Sequence, residues 1–182
     1  MFDLRHAMHS IVTRKDRDSN PDPGGRAPGS DYEFARLNLD DLEDLAALEE
    51  ICFPYPWTKD QFCLGLAQGA FHVFGLKSAG KTAAYLAFSR GAETMQILKF
   101  AVHPAHRNIG LGKRLLELVL KIGAEMGIRH ARLELRRSNA AARNLYEHLN
   151  FTQTGVKKRY YPDTGEDALI LFLDLNHMGK NR

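Results

Sequence analysis

The sequence predicts a single α/β domain, a central sheet with helices packed on it. Two observations predict it. Segments that alternate apolar and polar residues are interleaved with segments of helical apolar period, and that mixture buries its apolar faces when helices lie against a sheet. The 182 residues are the length of one ordinary domain plus a tail.

Residues 1–30 are expected to be a disordered N-terminal tail, and 31–182 the folded domain. Arg14 to Asp18 is a mixed charge run, and residues 20–30 hold three prolines and three glycines. Such a stretch buries too little apolar surface to offset its ordering entropy. Tyr32 to Leu37 then alternates as a short strand. Leu42, Leu45, Leu48 and Cys52 recur at helical spacing, with Asp40 and Asp41 where acidic groups suit a helix N-terminus. Pro54 and Pro56 end that helix, and Thr58 is placed to cap a second one running to about Gln68. Phe71 to Leu76, Thr82 to Phe88 and Thr94 to Val102 read as three strands, divided by Gly80 and Gly91.

A longer helix carries Leu111, Leu115, Leu118, Val119, Ile122 and Met126 on one stripe, with Gly127 as its C-cap. Ala131 to Leu135 is another strand. Asn139 to Leu149 is a helix with Ala142, Leu145, Tyr146 and Leu149 on one face. Phe151 to Lys158 and Ala168 to Leu173 close the chain as strands around a Pro-Asp-Thr-Gly turn.

Composition narrows the function classes. A net charge of +3 is too small to argue for nucleic-acid binding. No apolar run reaches the roughly 20 residues of a membrane helix, so no membrane association is expected. The N-terminus has no continuous apolar stretch of signal-peptide length. Cys52 and Cys63 make neither a disulfide framework nor a zinc spacing, which points to the reducing cytoplasm. The eight histidines show no metal-binding spacing, so no metal is expected.

Arg107-Asn108-Ile109-Gly110-Leu111-Gly112 lies between a predicted strand and a predicted helix. Its glycines let backbone amides approach an anion, and the helix starting there aims free N–H groups and its positive end at the same spot. Arg107 and Lys113 add charge. A glycine-rich turn without a ligand is the plainer reading. No Gly-Lys-Ser/Thr follows, and no dinucleotide fingerprint is present.

Preceded by Phe100-Ala101-Val102-His103-Pro104, this Arg-x-x-Gly-x-Gly resembles the acetyl-CoA signature of GNAT-type N-acetyltransferases. Leu133 to Ala142, continuing into Leu145-Tyr146-Glu147 and Asn150-Phe151, resembles the RimI-type branch, which acetylates the N-terminal alanine of a small-subunit ribosomal protein. Lys158-Arg159-Tyr160-Tyr161-Pro162 resembles that branch's substrate hairpin, and Phe53-Pro54-Tyr55-Pro56-Trp57 its loop between the first two helices. The resemblance spans Tyr32 to Asp174. It implies a mixed, strongly bent sheet of about six to seven strands flanked by about four helices, with central strands splayed apart to admit CoA.

The implied reaction is direct transfer of acetyl from acetyl-CoA to a protein's N-terminal amine in a ternary complex. Acetyl-CoA is the co-substrate, and the partner is an alanine-starting ribosomal protein. Glu134 is the implied base. On its strand Leu133 and Leu135 point one way, while Arg132, Glu134 and Arg136 point the other. A solvated face would explain that alternation, but a polar face on a helix-covered sheet suggests a cleft.

Tyr146 is the implied acid for the departing thiolate; by periodicity alone it is a core aromatic. Asn139 is an N-cap, and the resemblance adds a cofactor contact. Phe100, Ala101 and Val102 are implied to pair by their backbone with the pantetheine arm, and a backbone N–H near Val102 to polarise the acetyl carbonyl. Arg107, Asn108, Ile109, Gly110, Leu111, Gly112 and Lys113 would seat the pyrophosphate.

Trp57, Tyr160 and Tyr161 are either peptide-binding aromatics or loop packing. No nucleophilic cysteine is expected in the implied site, so no acetyl-cysteine intermediate is needed. Lys99 departs from the asparagine common in this branch and either alters the amine pocket or faces solvent. Two other readings stay open: acetylation of a free small amine, which Asp163, Glu166 and Asp167 would favour, and a non-catalytic CoA-binding module.

Overall fold

The computed structural model describes residues 31–176, so the expected tail at 1–30 lies outside the described residues. Among the described residues are seven strands and four α-helices. In chain order they are β1 (Glu33–Leu37), α1 (Leu42–Cys52), α2 (Lys59–Ala67), β2 (His72–Ser78), β3 (Lys81–Arg90), β4 (Thr94–Val102), α3 (Leu111–Glu125), β5 (His130–Arg136), α4 (Ala140–His148), β6 (Thr152–Tyr161) and β7 (Glu166–Asp174).

Local chemistry sets the helix ends. Thr58 accepts from the Gln61 N–H, and the Gln61 side chain accepts from the Thr58 N–H, which is a complete capping box. Asn139 accepts from the Ala142 N–H at 3.1 Å and starts α4. Gly127 closes the α3 end at a φ of 81°, which an L side chain rarely adopts.

The strands form one sheet in the order β1-β2-β3-β4-β5-β7-β6. Every neighbouring pair is antiparallel except β4 and β5, which run parallel. That one pair is also the weak one. Thr94, Met95 and Gln96 pair with His130, Ala131 and Arg132, and there the register stops. Beyond Gln96 the two strands part, so each leaves one edge unpaired inside the sheet.

The helices cover both faces. The apolar stripe of α3 (Leu111, Leu115, Leu118, Val119, Ile122) packs with Tyr146 of α4 and with Phe74, Leu86, Met95, Leu133, Leu135 and Leu171 of the strands. The opposite face carries a smaller core, in which Leu45 and Leu48 of α1 and Phe62 of α2 meet Val73, Tyr85, Ala87 and Ala101. No β5, β6 or β7 residue belongs to this second core. The polar side of β5 is therefore not covered by α1 and α2.

Two irregularities re-aim side chains. Opposite β3, Ala87 pairs with Lys99 and Phe88 with Ile97, so Leu98 is an extra residue in β4. After this bulge Ala101 faces the second core, and Lys99 reaches Glu49 of α1. In the last hairpin Lys157 pairs with Ala168 and Tyr161 with Glu166, and Arg159 within this break has a φ of 50°. The break lengthens β6 beyond the strand end that alternation predicts at Lys158.

Candidate active site

A cavity of about 860 Å³ opens where β4 and β5 part. Its wall takes Ile97 to Phe100 from β4, Leu133 to Arg136 from β5, Asn139, Ala142 and Tyr146 from α4 and its cap, Cys52 to Tyr55 from the end of α1, and Tyr161 to Asp163 from the hairpin. Of the residues expected at the site, Phe100, Glu134, Asn139, Tyr146 and Tyr161 reach this cavity, from four separate parts of the chain, while Ala101, Val102, residues 107–113, Trp57 and Tyr160 are not on its wall.

Glu134 stands on this wall with both oxygens engaged. Gln96 donates to Oε2 at 2.6 Å. Lys157 at 3.0 Å and Arg132 at 3.3 Å donate to Oε1. Strand alternation puts Glu134 on the α1 and α2 side of the sheet, over the β5 stretch that those helices do not cover, which explains how a carboxylate stands in a sheet centre at all. Gln96 and Lys157 were not legible as its partners, because one lies 38 and the other 23 residues away.

Tyr146 reaches the same cavity from the other face of the sheet. Its ring packs edge-on against Phe100, centroids 6.4 Å apart, and against Phe151 at 5.2 Å. Burial pushes its phenol well above the ordinary tyrosine value, so it is protonated at neutral pH. Tyr146 is core on one side and cavity wall on the other.

The glycine loop fits an anion. Asn108 and Gly110 both have left-handed backbone, with φ of 62° and 80°. Gly110 is the N-cap of α3 and supplies no side-chain cap, and the first helical bond runs from the Arg114 N–H to the Gly110 carbonyl at 3.0 Å. The Leu111, Gly112 and Lys113 amides precede that bond and are the helix's free donors. A Cβ on Gly112 would lie 3.4 Å from both Phe100 and Val102, so the loop sits against the open stretch of β4. Leu111 is buried under α3, and Ile109 is exposed. Arg107 folds back, its Nε donating to the Val102 carbonyl at 2.9 Å.

The aromatic set divides. Tyr161 lines the cavity beneath the Arg136 guanidinium, 3.9 Å from the ring centroid. Arg136 in turn donates to Asp163 at 2.7 Å and pairs with Glu166 at 3.7 Å. Tyr160 packs edge-on to Tyr161 and stays exposed under Lys157. Trp57 is not on the wall. Its ring packs 5.3 Å from Phe62 and 5.2 Å from Phe71, and its backbone N–H donates to Glu49 at 2.5 Å.

Two features were missed. Cys52 lines the cavity, a place the sequence did not give it. Its thiol donates to the Val102 carbonyl at 3.6 Å, and burial raises it above the ordinary thiol value despite the Arg107 guanidinium beside it. A thiol so held is a poor nucleophile at neutral pH. The second feature is a fully buried carboxylate, Glu49, bound by the Tyr85 hydroxyl, the Trp57 N–H and the Lys99 ammonium. The signal was a glutamate on the apolar stripe of α1, one step from Leu48. Among the described residues no group of three or more His, Cys, Asp or Glu is placed to hold a metal ion, and no helix is long and apolar enough to cross a membrane.

Comparison with known proteins agrees with this geometry. Residues 41–151 match the family model described as the acetyltransferase (GNAT) family. The [ribosomal protein bS18]-alanine N-acetyltransferase of Escherichia coli strain K12 is 32% identical over 146 residues, covering 79% of this chain and 97% of that protein. An N-alpha-acetyltransferase RimI of Mycobacterium tuberculosis is 33% identical over 144 residues, covering 76% and 89%. The crystal structure of the ribosomal-protein-S18-alanine N-acetyltransferase from Escherichia coli superimposes with a TM-score of 0.74 at 31% identity, covering 83% of this chain and 98% of that one. A parallel strand pair that parts above a glycine-rich helix start is, here, the architecture of an acyl-transferring enzyme, and the chain belongs to the GNAT family of acetyltransferases.

Proposed function

We propose that this enzyme acetylates the N-terminal α-amino group of a protein, an alanine-starting ribosomal protein, using acetyl-CoA directly in a ternary complex. The observation that carries the reading is that Glu134 and Tyr146 stand on one cavity wall, from opposite faces of the sheet, beside the unpaired edge of β4. The relatives named for ribosomal protein bS18-alanine acetylation support the substrate.

Acetyl-CoA supplies the activated acetyl group. The amides at the start of α3 would take its pyrophosphate, and the open edge of β4 around Phe100 to Val102 its pantetheine arm, a reading supported by the uncapped helix start and the pairing that stops at Gln96. Asn139 is on the wall, and its side chain already caps α4, so a cofactor contact would fall to its amide nitrogen. A main-chain N–H near Val102 is placed to polarise the acetyl carbonyl.

An α-amino group has a pKa of about 7.7–8.0, so losing its proton is a modest step. Glu134 accepts that proton through a water, because Gln96, Arg132 and Lys157 already occupy its oxygens. The neutral nitrogen attacks the acetyl carbon, the carbon–sulfur bond breaks, and Tyr146 protonates the leaving sulfur. The burial that raises the phenol also raises a thiolate in the same cavity, so the two remain matched. Cys52 is not used.

A free polyamine is the weaker reading. The acids that favoured it are taken: Asp163 and Glu166 pair with Arg136, and Asp167 with Lys158 and Arg137. Two reduced cysteines fit a cytoplasmic site of action. The test is acetyl-CoA consumption, followed as free thiol, with peptides starting in Ala, Ser, Met and Gly beside polyamines and an aminoglycoside. Turnover of the Ala-led peptide is expected; turnover of small amines alone would overturn the reading.

A further inference from the structure

We propose that Lys99, held by Glu49, is a specificity residue: its ammonium binds the carbonyl oxygen of the acceptor's first residue and turns away acceptors carrying a second positive charge. This rests on the reading of the acceptor as a protein N-terminus.

Lys99 does not face solvent. Its Nζ lies 3.0 Å from Glu49, 3.4 Å from the Tyr55 carbonyl and 3.9 Å from the centre of the Phe53 ring, and the side chain is 15% exposed. An ammonium carries three donors. The Glu49 and Tyr55 oxygens take two, and Lys99 lines the cavity. The Phe53 face holds the third direction only loosely, and a carbonyl oxygen admitted to the cavity would be the stronger partner.

The pair is built for position. Glu49 is fully buried, and its other oxygen accepts from Tyr85, so the carboxylate is fixed from β3 as well as from the loop at Trp57. The bulge at Leu98 turns Lys99 toward α1. A buried ion pair contributes little that a well-packed apolar pair would not. Its presence on the wall of an active cavity therefore has a better account in recognition than in stability.

The other charges on that wall are already matched. Glu134 has Arg132 and Lys157, and Arg136 has Asp163 and Glu166. Lys99 is matched by Glu49, and the Tyr55 carbonyl and the Phe53 ring hold its other donors more loosely. A peptide N-terminus carries a carbonyl two bonds from its amine nitrogen's carbon neighbour, an acceptor suited to that donor. A polyamine carries a further ammonium instead, and Lys99 and Arg136 both repel it.

The test measures kcat and KM for an Ala-led peptide and for spermidine, with acetyl-CoA affinity alongside, in the wild type, K99M, K99R and the E49Q/K99M double variant. Lost hydrogen bonding to a charged group predicts a peptide KM raised about 10- to 100-fold in K99M, with kcat moved less than about 3-fold. Spermidine turnover should rise, and K99R should recover most of the peptide KM. The double variant removes both buried charges and should repeat the K99M phenotype even where K99M alone folds poorly. An unchanged peptide KM, with spermidine still rejected, in folded K99M or the double variant overturns the role of Lys99 while leaving peptide acetylation standing. A wild type that binds acetyl-CoA but acetylates no peptide overturns both.

Discussion

The surface proposed for the cofactor and the surface proposed for the acceptor are built differently. The first is main chain: the glycine loop, the free amides of α3 and the bare edge of β4. The second is side chains from distant segments: Glu49 and Lys99, Glu134 with Gln96 and Lys157, and Arg136 with Tyr161. The difference teaches how one fold serves many acceptors. Phosphate and pantetheine are constant, and a backbone seat suits them; the acceptor varies, and side chains are what sequence change can alter.

The sharpest way to break this comparison is at the main-chain end. Gly110→Val should weaken acetyl-CoA binding about 100-fold or more, read by calorimetry. Nothing lies within 4 Å of a Cβ there, so the effect comes from the φ of 80° and from crowding the anion, not from a clash inside the protein. Affinity within tenfold of the wild type would remove the loop as the phosphate seat.

Next is Glu134→Gln. General-base loss predicts kcat lower by roughly 10²- to 10⁴-fold near neutral pH. The defect should shrink as pH rises past about 8, where the acceptor amine is already neutral. A defect independent of pH would leave Glu134 an ion-pair partner of Lys157 and no base.

Tyr146→Phe should lower kcat by about 10- to 100-fold, with acetyl-CoA affinity within about 3-fold, because the ring contacts to Phe100 and Phe151 survive. Full activity in both variants would end the assigned roles.

The smallest effect concerns the hairpin. Arg136 holds Asp163, the Ser138 N–H holds Glu166, and Lys158 holds Asp167 below their ordinary carboxylate values of 3.8, 4.5 and 3.8. A depressed folded-state value contributes stability above the unfolded value and loses it as pH falls through the folded one. The hairpin should therefore keep its protection above about pH 4.5 and lose it progressively below. Hydrogen exchange along β6 and β7 would show this; a flat profile across that range would make these pairs energetically silent.

The order of elements was legible because period, caps and turn residues are local. Thr58, Asn139 and Gly127 stand where the pattern puts them. The polar side of β5 and the glycine loop were legible for the same reason. The two bulges were not, since Leu98 and Arg159 carry no local mark of an extra residue. With them went the direction of Lys99 and the true end of β6.

By itself, then, the sequence determined the sheet-and-helix class, the glycine-rich turn before α3 and the parity of β5, because each depends on neighbours within one or two turns of chain. Tertiary structure alone decided that β4 and β5 part after Gln96, that Glu134 is clamped by Gln96 and Lys157, and that Lys99 meets a buried Glu49. Those depend on which segments pack together across tens of residues. Alternation along one strand names the face a side chain takes, but not what waits there.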